Sequence, residues 1–142
     1  MSSAAPILVV DDDEAYRNLI RHYLRDCGRQ VLEAGDGGSA YEIVSAQCVD
    51  LMILDIVMPE TEGLETIGRF RREGFGVPIV AVSGVTRACD YLTLALRLGA
   101  NAVVEKTAPI TDLLATVRSV LCDAGAPESN FDAINFRDRS DK

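Results

Sequence analysis

Four short apolar runs punctuate the chain, and each ends on a polar side chain. Ile7-Leu8-Val9-Val10 runs into Asp11-Asp12-Asp13, and Leu51-Met52-Ile53-Leu54 runs into Asp55. Ile79-Val80-Ala81-Val82 runs into Ser83, and Ala102-Val103-Val104-Glu105 runs into Lys106. Continuous apolar runs this short predict strands covered on both faces, as in a parallel sheet. Residues 30–34 predict one further short strand.

Helical spacing fills the intervals. Tyr16, Leu19, Ile20, Tyr23, Leu24 and Cys27 recur at helical period, and Gly28 stops that helix. Ala40, Ile43, Val44 and Cys48 mark a second helix, opened by the turn-like Asp36-Gly37-Gly38-Ser39. Leu64, Ile67 and Phe70 mark a third, ending near Gly74. Leu92, Ala95, Leu96 and Leu98 mark a fourth, closed by Gly99. Leu113, Leu114, Val117, Val120 and Leu121 mark a fifth, with Pro109 placed in its first turn, where proline is tolerated. Strands and helices alternating in this way predict an α/β fold, a parallel sheet with helices on both faces. Strand order does not follow from the pattern.

Periodicity fails after about Asp123. Residues 123–142 read as a tail or linker whose apolar anchors are Phe131, Ile134 and Phe136. The formal charge of −8 argues against unaided binding to nucleic acid or to an anionic membrane, both of which need a basic surface. Cys27, Cys48, Cys89 and Cys122 are widely spaced, with no CxxC pair. They read as reduced, partly buried thiols of a cytoplasmic protein. No apolar run approaches the ~20 residues of a membrane span.

Ligands of open α/β sheets bind at the carboxyl ends of the strands. The fold pattern therefore collects Asp11, Asp12, Asp55, Ser83 and Lys106 at one edge. Three carboxylates together would repel one another, and a hard divalent cation such as Mg²⁺ resolves that repulsion. A carboxylate can also accept a phosphoryl group. A lysine ammonium and a serine hydroxyl supply a counter-charge and a hydrogen bond for phosphate oxygens. Asp13 reads more simply as the cap of the first helix. His22 falls off the apolar stripe and reads as solvent-facing.

These residues stand in an ordered set: Val9-Val10-Asp11-Asp12, Leu54-Asp55-Ile56-Val57-Met58-Pro59 with Gly63, Val82-Ser83-Gly84, Gly99-Ala100, and Glu105-Lys106. With that set the chain resembles the receiver domain of two-component response regulators, the CheY-like family, over residues 6–122. The resemblance implies a doubly wound, flavodoxin-like five-stranded parallel sheet of order 2-1-3-4-5, with five helices on two faces. The receiver domain would occupy residues 1–122. The resemblance also implies that Asp55 is the phosphoacceptor, that Asp12 ligates Mg²⁺ directly, and that Asp11 helps through water. The backbone carbonyl of Val57 would complete the protein's share of the metal shell. Ser83 would be the switch hydroxyl, and Lys106 the counter-ion of the phosphoryl group.

The implied phosphodonor is a phosphohistidine on a sensor histidine kinase or a histidine phosphotransfer protein. The implied output is altered contact with a downstream protein. The resemblance further implies a switch rather than a multiple-turnover enzyme; members of the family can form a homodimer through the fourth helix, fifth strand and fifth helix, and the oligomeric state of this chain stays open. Two positions depart from the family pattern. Thr107 follows the lysine where proline is common, so the loop there is expected to take a different path. Val103 stands where the family often has the aromatic half of the switch. Val57 and Val85 stand two residues past Asp55 and Ser83, where the family tunes water access, so the resemblance implies slow self-dephosphorylation. Two alternatives stay open: a degenerate receiver used only for binding, and a Mg²⁺-dependent phosphohydrolase with Asp55 or Asp11 as nucleophile, for which Asp11-x-Asp13 fits the letters of a phosphatase motif.

Overall fold

The computed structural model describes residues 4–56, 62–84 and 88–125, without the side chains of residues 62 and 88–90. The carbonyl assigned to Val57, the Val85 position and the apolar anchors of the tail lie outside the described residues. Ten elements alternate: β1 (Ile7–Val10), α1 (Glu14–Asp26), β2 (Val31–Ala34), α2 (Gly37–Ala46), β3 (Leu51–Asp55), α3 (Glu62–Arg72), β4 (Ile79–Ser83), α4 (Ala88–Leu98), β5 (Ala102–Glu105) and α5 (Ile110–Asp123). All strand pairs are parallel, in the order β2-β1-β3-β4-β5.

The three central strands are buried along their whole length, which explains why their sequences are continuously apolar. Successive side chains alternate between two cores, as the twofold period of a strand requires. Leu8, Val10, Met52, Leu54, Ile79 and Ala81 face the α2, α3 and α4 side, where Ile67, Phe70 and Ala95 meet them. Ile7, Val9, Leu51, Ile53, Val80 and Val82 face α1 and α5, where Ile20, Leu24, Leu113 and Val117 meet them. The edge strands β2 and β5 are only half covered.

Local chemistry sets the helix starts. Asp13 caps α1, its Oδ1 accepting from the amides of Ala15 and Tyr16 at 3.0 and 3.4 Å. Asp36 caps α2 by accepting from Ser39 N at 2.7 Å. Pro109 is the residue before α5, with φ −56°, and so stands one position earlier than the first-turn placement expected for it.

Other expectations fail for geometric reasons. Leu19 and Leu96 were placed on apolar stripes but are 44% and 46% exposed, because a helix against a sheet buries a narrower stripe than the pattern suggested. Cys48 lies beyond the end of α2 and is exposed, as is Cys122, so neither is a partly buried thiol. Cys27 is buried.

Candidate functional site

Parallel order places the carboxyl ends of β1, β3, β4 and β5 side by side, and the backbone ladder fixes the residues just past them. The Asp11 amide donates to the Ala34 carbonyl at 3.0 Å, which carries the β1–β2 ladder one residue further. Asp55 ends β3 in register with Val82. Ser83 ends β4 in register with Glu105. The Lys106 amide donates to the Ser83 carbonyl at 2.8 Å, so the lysine leaves the sheet beside the serine.

One carboxylate oxygen from each of Asp11, Asp12 and Asp55 falls within 4.8 Å of the others. Asp11 and Asp55 are 1% and 3% exposed, so both carboxylates have lost nearly all of their hydration. Ser83 is buried beside them, and Asp12 reaches solvent. The Asp13 amide donates to Asp11 Oδ1 at 2.9 Å and leaves Oδ2 turned toward Lys106. Lys106 Nζ stands 2.8 Å from Asp11 Oδ2 and 3.3 Å from Asp55 Oδ2. Burial alone would push the Lys106 pKa down. The two carboxylates outweigh it and hold the ammonium above the usual lysine value.

The donor set fits a hard divalent cation on two counts. Three formal carboxylate charges against one ammonium leave a surplus of two negative charges, the charge of one such ion. In addition, Asp11 Oδ2 is buried, with the Lys106 ammonium 2.8 Å away as its ionic partner. One ammonium shared between two buried carboxylates leaves part of their charge uncompensated, and a divalent cation at the site would complete the compensation. All-oxygen donors at a phosphate-type site suit Mg²⁺.

Gly63 is needed where β3 meets α3. A Cβ there would fall on the Ile56 Cα and the Asp55 carbonyl, so the first turn of α3 can lie against the Asp55–Ile56 backbone only without a side chain. Past β5, Lys106 and Thr107 form a turn closed by the Ala108 amide donating to Glu105 O at 3.0 Å. Every described peptide bond is trans. Val103 is half-buried against the α2–α3–α4 core, so the position expected to carry a switch aromatic holds a packed aliphatic side chain. His22 is solvent-facing, as expected.

Residues at the start of α1 surround the acidic group. Asp13 is outside the acidic group and spends its carboxylate on the α1 cap. Arg17 Nη1 donates to the Asp11 carbonyl at 2.5 Å, which fixes the backbone of the acid pair. The ring of Tyr16 lies under Lys106, with Nζ 4.5 Å from its centroid. Burial pushes the Tyr16 phenol up to about 12. Lys106 pulls the other way, and Asp11 and Asp55 add to the rise. A tyrosine on an apolar stripe looks like ordinary core. The usable signal was its place in the first turn of α1, at the same sheet edge as the acids.

Comparison with known proteins agrees with this geometry. The family model described as the response regulator receiver domain matches residues 7–118. The response regulator MprA of Mycolicibacterium vanbaalenii is 34% identical over 138 residues, covering 94% of this chain and 58% of the relative. The Regulator of RpoS of Escherichia coli K12 is 35% identical over 107 residues, covering 75% of this chain and 31% of the relative. The chain thus spans under two thirds of both. The crystal structure of the receiver domain of NtrX from Brucella abortus superposes with a TM-score of 0.75 at 28% identity, covering 81% of this chain and 97% of that one. By sequence, topology and the order of its strand-end residues, the chain belongs to the response regulator receiver domain family.

Proposed function

We propose that this chain is a phosphorylation-dependent signalling switch in which Asp55 accepts a phosphoryl group and Mg²⁺ is held by Asp11, Asp12 and Asp55. The observation that carries the reading is the placement of the Asp55 carboxylate. It is buried at the end of β3, 3.3 Å from the Lys106 ammonium and grouped with two further acids, in a chain of the receiver family. On the family pattern the backbone carbonyl of Val57 adds a further ligand.

Bound Mg²⁺ would supply positive charge for the phosphate oxygens as charge develops on them. The chain's own residues do the rest. An Asp55 carboxylate oxygen attacks the phosphorus of a phosphohistidine whose other ring nitrogen carries a proton, the P–N bond breaks, and the ring keeps that proton and leaves as neutral imidazole. Lys106 neutralises an oxygen of the transferred group. Ser83 offers its hydroxyl to another and draws the end of β4 toward it. The donor is a sensor histidine kinase or a histidine phosphotransfer protein, and the readout is altered contact with a downstream protein at the α4–β5–α5 surface.

The phosphohydrolase reading built on Asp11-x-Asp13 needs Asp13 in the chemistry. The commitment of Asp13 to capping α1 disfavours that reading. Beryllofluoride with Mg²⁺ is the test, followed by amide NMR. Shifts at Ser83, Gly84 and Lys106 in wild type, absent in Asp55→Ala, are expected. Equal shifts in the variant, or none in wild type, would overturn the assignment.

A further inference from the structure

Among the described residues, the Lys106 ammonium meets partners of two kinds. Two are carboxylate oxygens of Asp11 and Asp55, at 2.8 and 3.3 Å. The third is the face of Tyr16, at 4.5 Å from Nζ to the ring centroid. The carboxylates are the groups that a divalent cation would claim. Once they are claimed, Lys106 loses its anionic partners and faces a like charge beside them. A long, flexible lysine in that position turns toward water unless something else retains it.

Tyr16 is built to retain it. The ring is neutral, so it takes no oxygen from a metal, and its π face attracts a cation. Its backbone is fixed by the Asp13 cap, which accepts from the Tyr16 amide. Its ring packs against the α1–α5 core, in the same cluster as Ala108 and Ile110 at the start of α5. The anchor is therefore rigid, and it spans from the first turn of α1 to the loop that carries the lysine.

We infer that Tyr16 is a positioning residue that holds the Lys106 ammonium beside Asp55 through its ring face when a divalent cation occupies the carboxylates. This assignment rests on the phosphoacceptor reading above and adds to it an aromatic from α1, acting on the lysine from the face opposite the missing aromatic at Val103.

The experiment compares Tyr16→Leu and Tyr16→Phe, each alone and combined with Lys106→Ala. Phosphoryl transfer from acetyl phosphate at saturating Mg²⁺ is followed by intact mass. In that reaction Asp55 oxygen attacks phosphorus, the P–O bond to the acetyl group breaks, and acetate leaves. Tyr16→Leu is expected to slow the initial rate about 3- to 10-fold, and Tyr16→Phe to retain it within about twofold, because the ring and not the hydroxyl carries the contact. In the Lys106→Ala background the leucine change should add nothing, and Mg²⁺ affinity should be the same in both Tyr16 variants. A rate unchanged by Tyr16→Leu, a loss as large in Tyr16→Phe, or a loss undiminished without Lys106 would overturn the inference.

A second readout separates this inference from the assignment of Asp55. The Lys106 ε-protons should show an upfield ring-current shift in Mg²⁺-bound wild type and Tyr16→Phe, and lose it in Tyr16→Leu. If the wild type took no phosphoryl group, the Asp55 reading would fall, while this shift would still decide the Tyr16 contact. Identical ε-proton positions in all three proteins would refute it.

Discussion

Replacing Arg71 with alanine should destabilise the domain from a point far from its acidic cluster. The Arg71 side chain leaves the last turn of α3 and ties together three segments. Its Nε donates to the Gly99 carbonyl at 3.0 Å, its Nη1 to the Phe75 carbonyl at 2.7 Å, and its Nη2 to Asn101 Oδ1 at 3.0 Å. Asn101 Oδ1 also accepts from the Ile79 amide at 2.9 Å, so the clamp joins the starts of β4 and β5. Gly99 permits the approach. Its φ is +125°, and a Cβ there would stand 2.6 Å from Arg71 Cγ.

A hydrogen bond from a charged donor contributes about 1.5–3 kcal/mol net. The Asn101 contact is exposed and is discounted heavily, and the other two are half-buried. The loss for Arg71→Ala is therefore about 2–4 kcal/mol, and each kcal/mol lowers Tm by about 3–6 °C in a domain of this size. Thermal unfolding followed by far-UV circular dichroism should show a fall of roughly 6–24 °C. Arg71→Lys should recover less than half of it, because an ammonium cannot serve three divergent acceptors. A Tm within about 2 °C of wild type for Arg71→Ala would refute the clamp.

Three further outcomes follow from the site. Mg²⁺ at about 100 times its Kd should stabilise the wild type by about 2.7 kcal/mol, read as a shift of the urea midpoint, and should leave Asp12→Ala unmoved; equal shifts would count against the acid cluster as the ligand set. Lys106 titrates above its ordinary value of 10.5 when folded, so its contribution is fully present below pH 10.5 and is lost as pH rises through the folded value. The stability difference between wild type and Lys106→Met should thus be flat from pH 7 to 10 and shrink above about pH 10.5; a constant difference up to pH 11.5 would refute the ion pair. Val57→Asn should speed loss of the phosphoryl group by admitting water, and an unchanged half-life of the aspartyl phosphate would remove Val57 from that role.

The strand ends were legible because a parallel sheet buries both faces of its inner strands. Continuous apolar runs then announce the strand, and the first polar residue announces its end. Asp11, Asp55, Ser83 and Lys106 could be placed on one edge before any coordinates, and the ordered motifs supplied the strand order. Helix faces were legible only in part. Leu19 and Leu96 share the helical period of buried neighbours, yet they lie at the margin of the stripe, where neither sheet nor helix covers them. Contacts that depend on where two elements meet left no local trace. The Tyr16 ring under Lys106 reads in sequence as one more apolar position. Arg71 carries no signal in the sequence that singles it out, though it bridges to Gly99 and Asn101. Gly63 could be recognised as part of a motif, but the reason for it, the Asp55 carbonyl lying against α3, belongs to the fold.

The most direct test of the central claim is tandem mass spectrometry after incubation with acetyl phosphate and Mg²⁺. The account predicts a single added phosphoryl group located on Asp55, lost on chelation of the metal before the reaction and absent in Asp55→Ala. No added mass in the wild type, or a phosphoryl group that persists in Asp55→Ala, would contradict it.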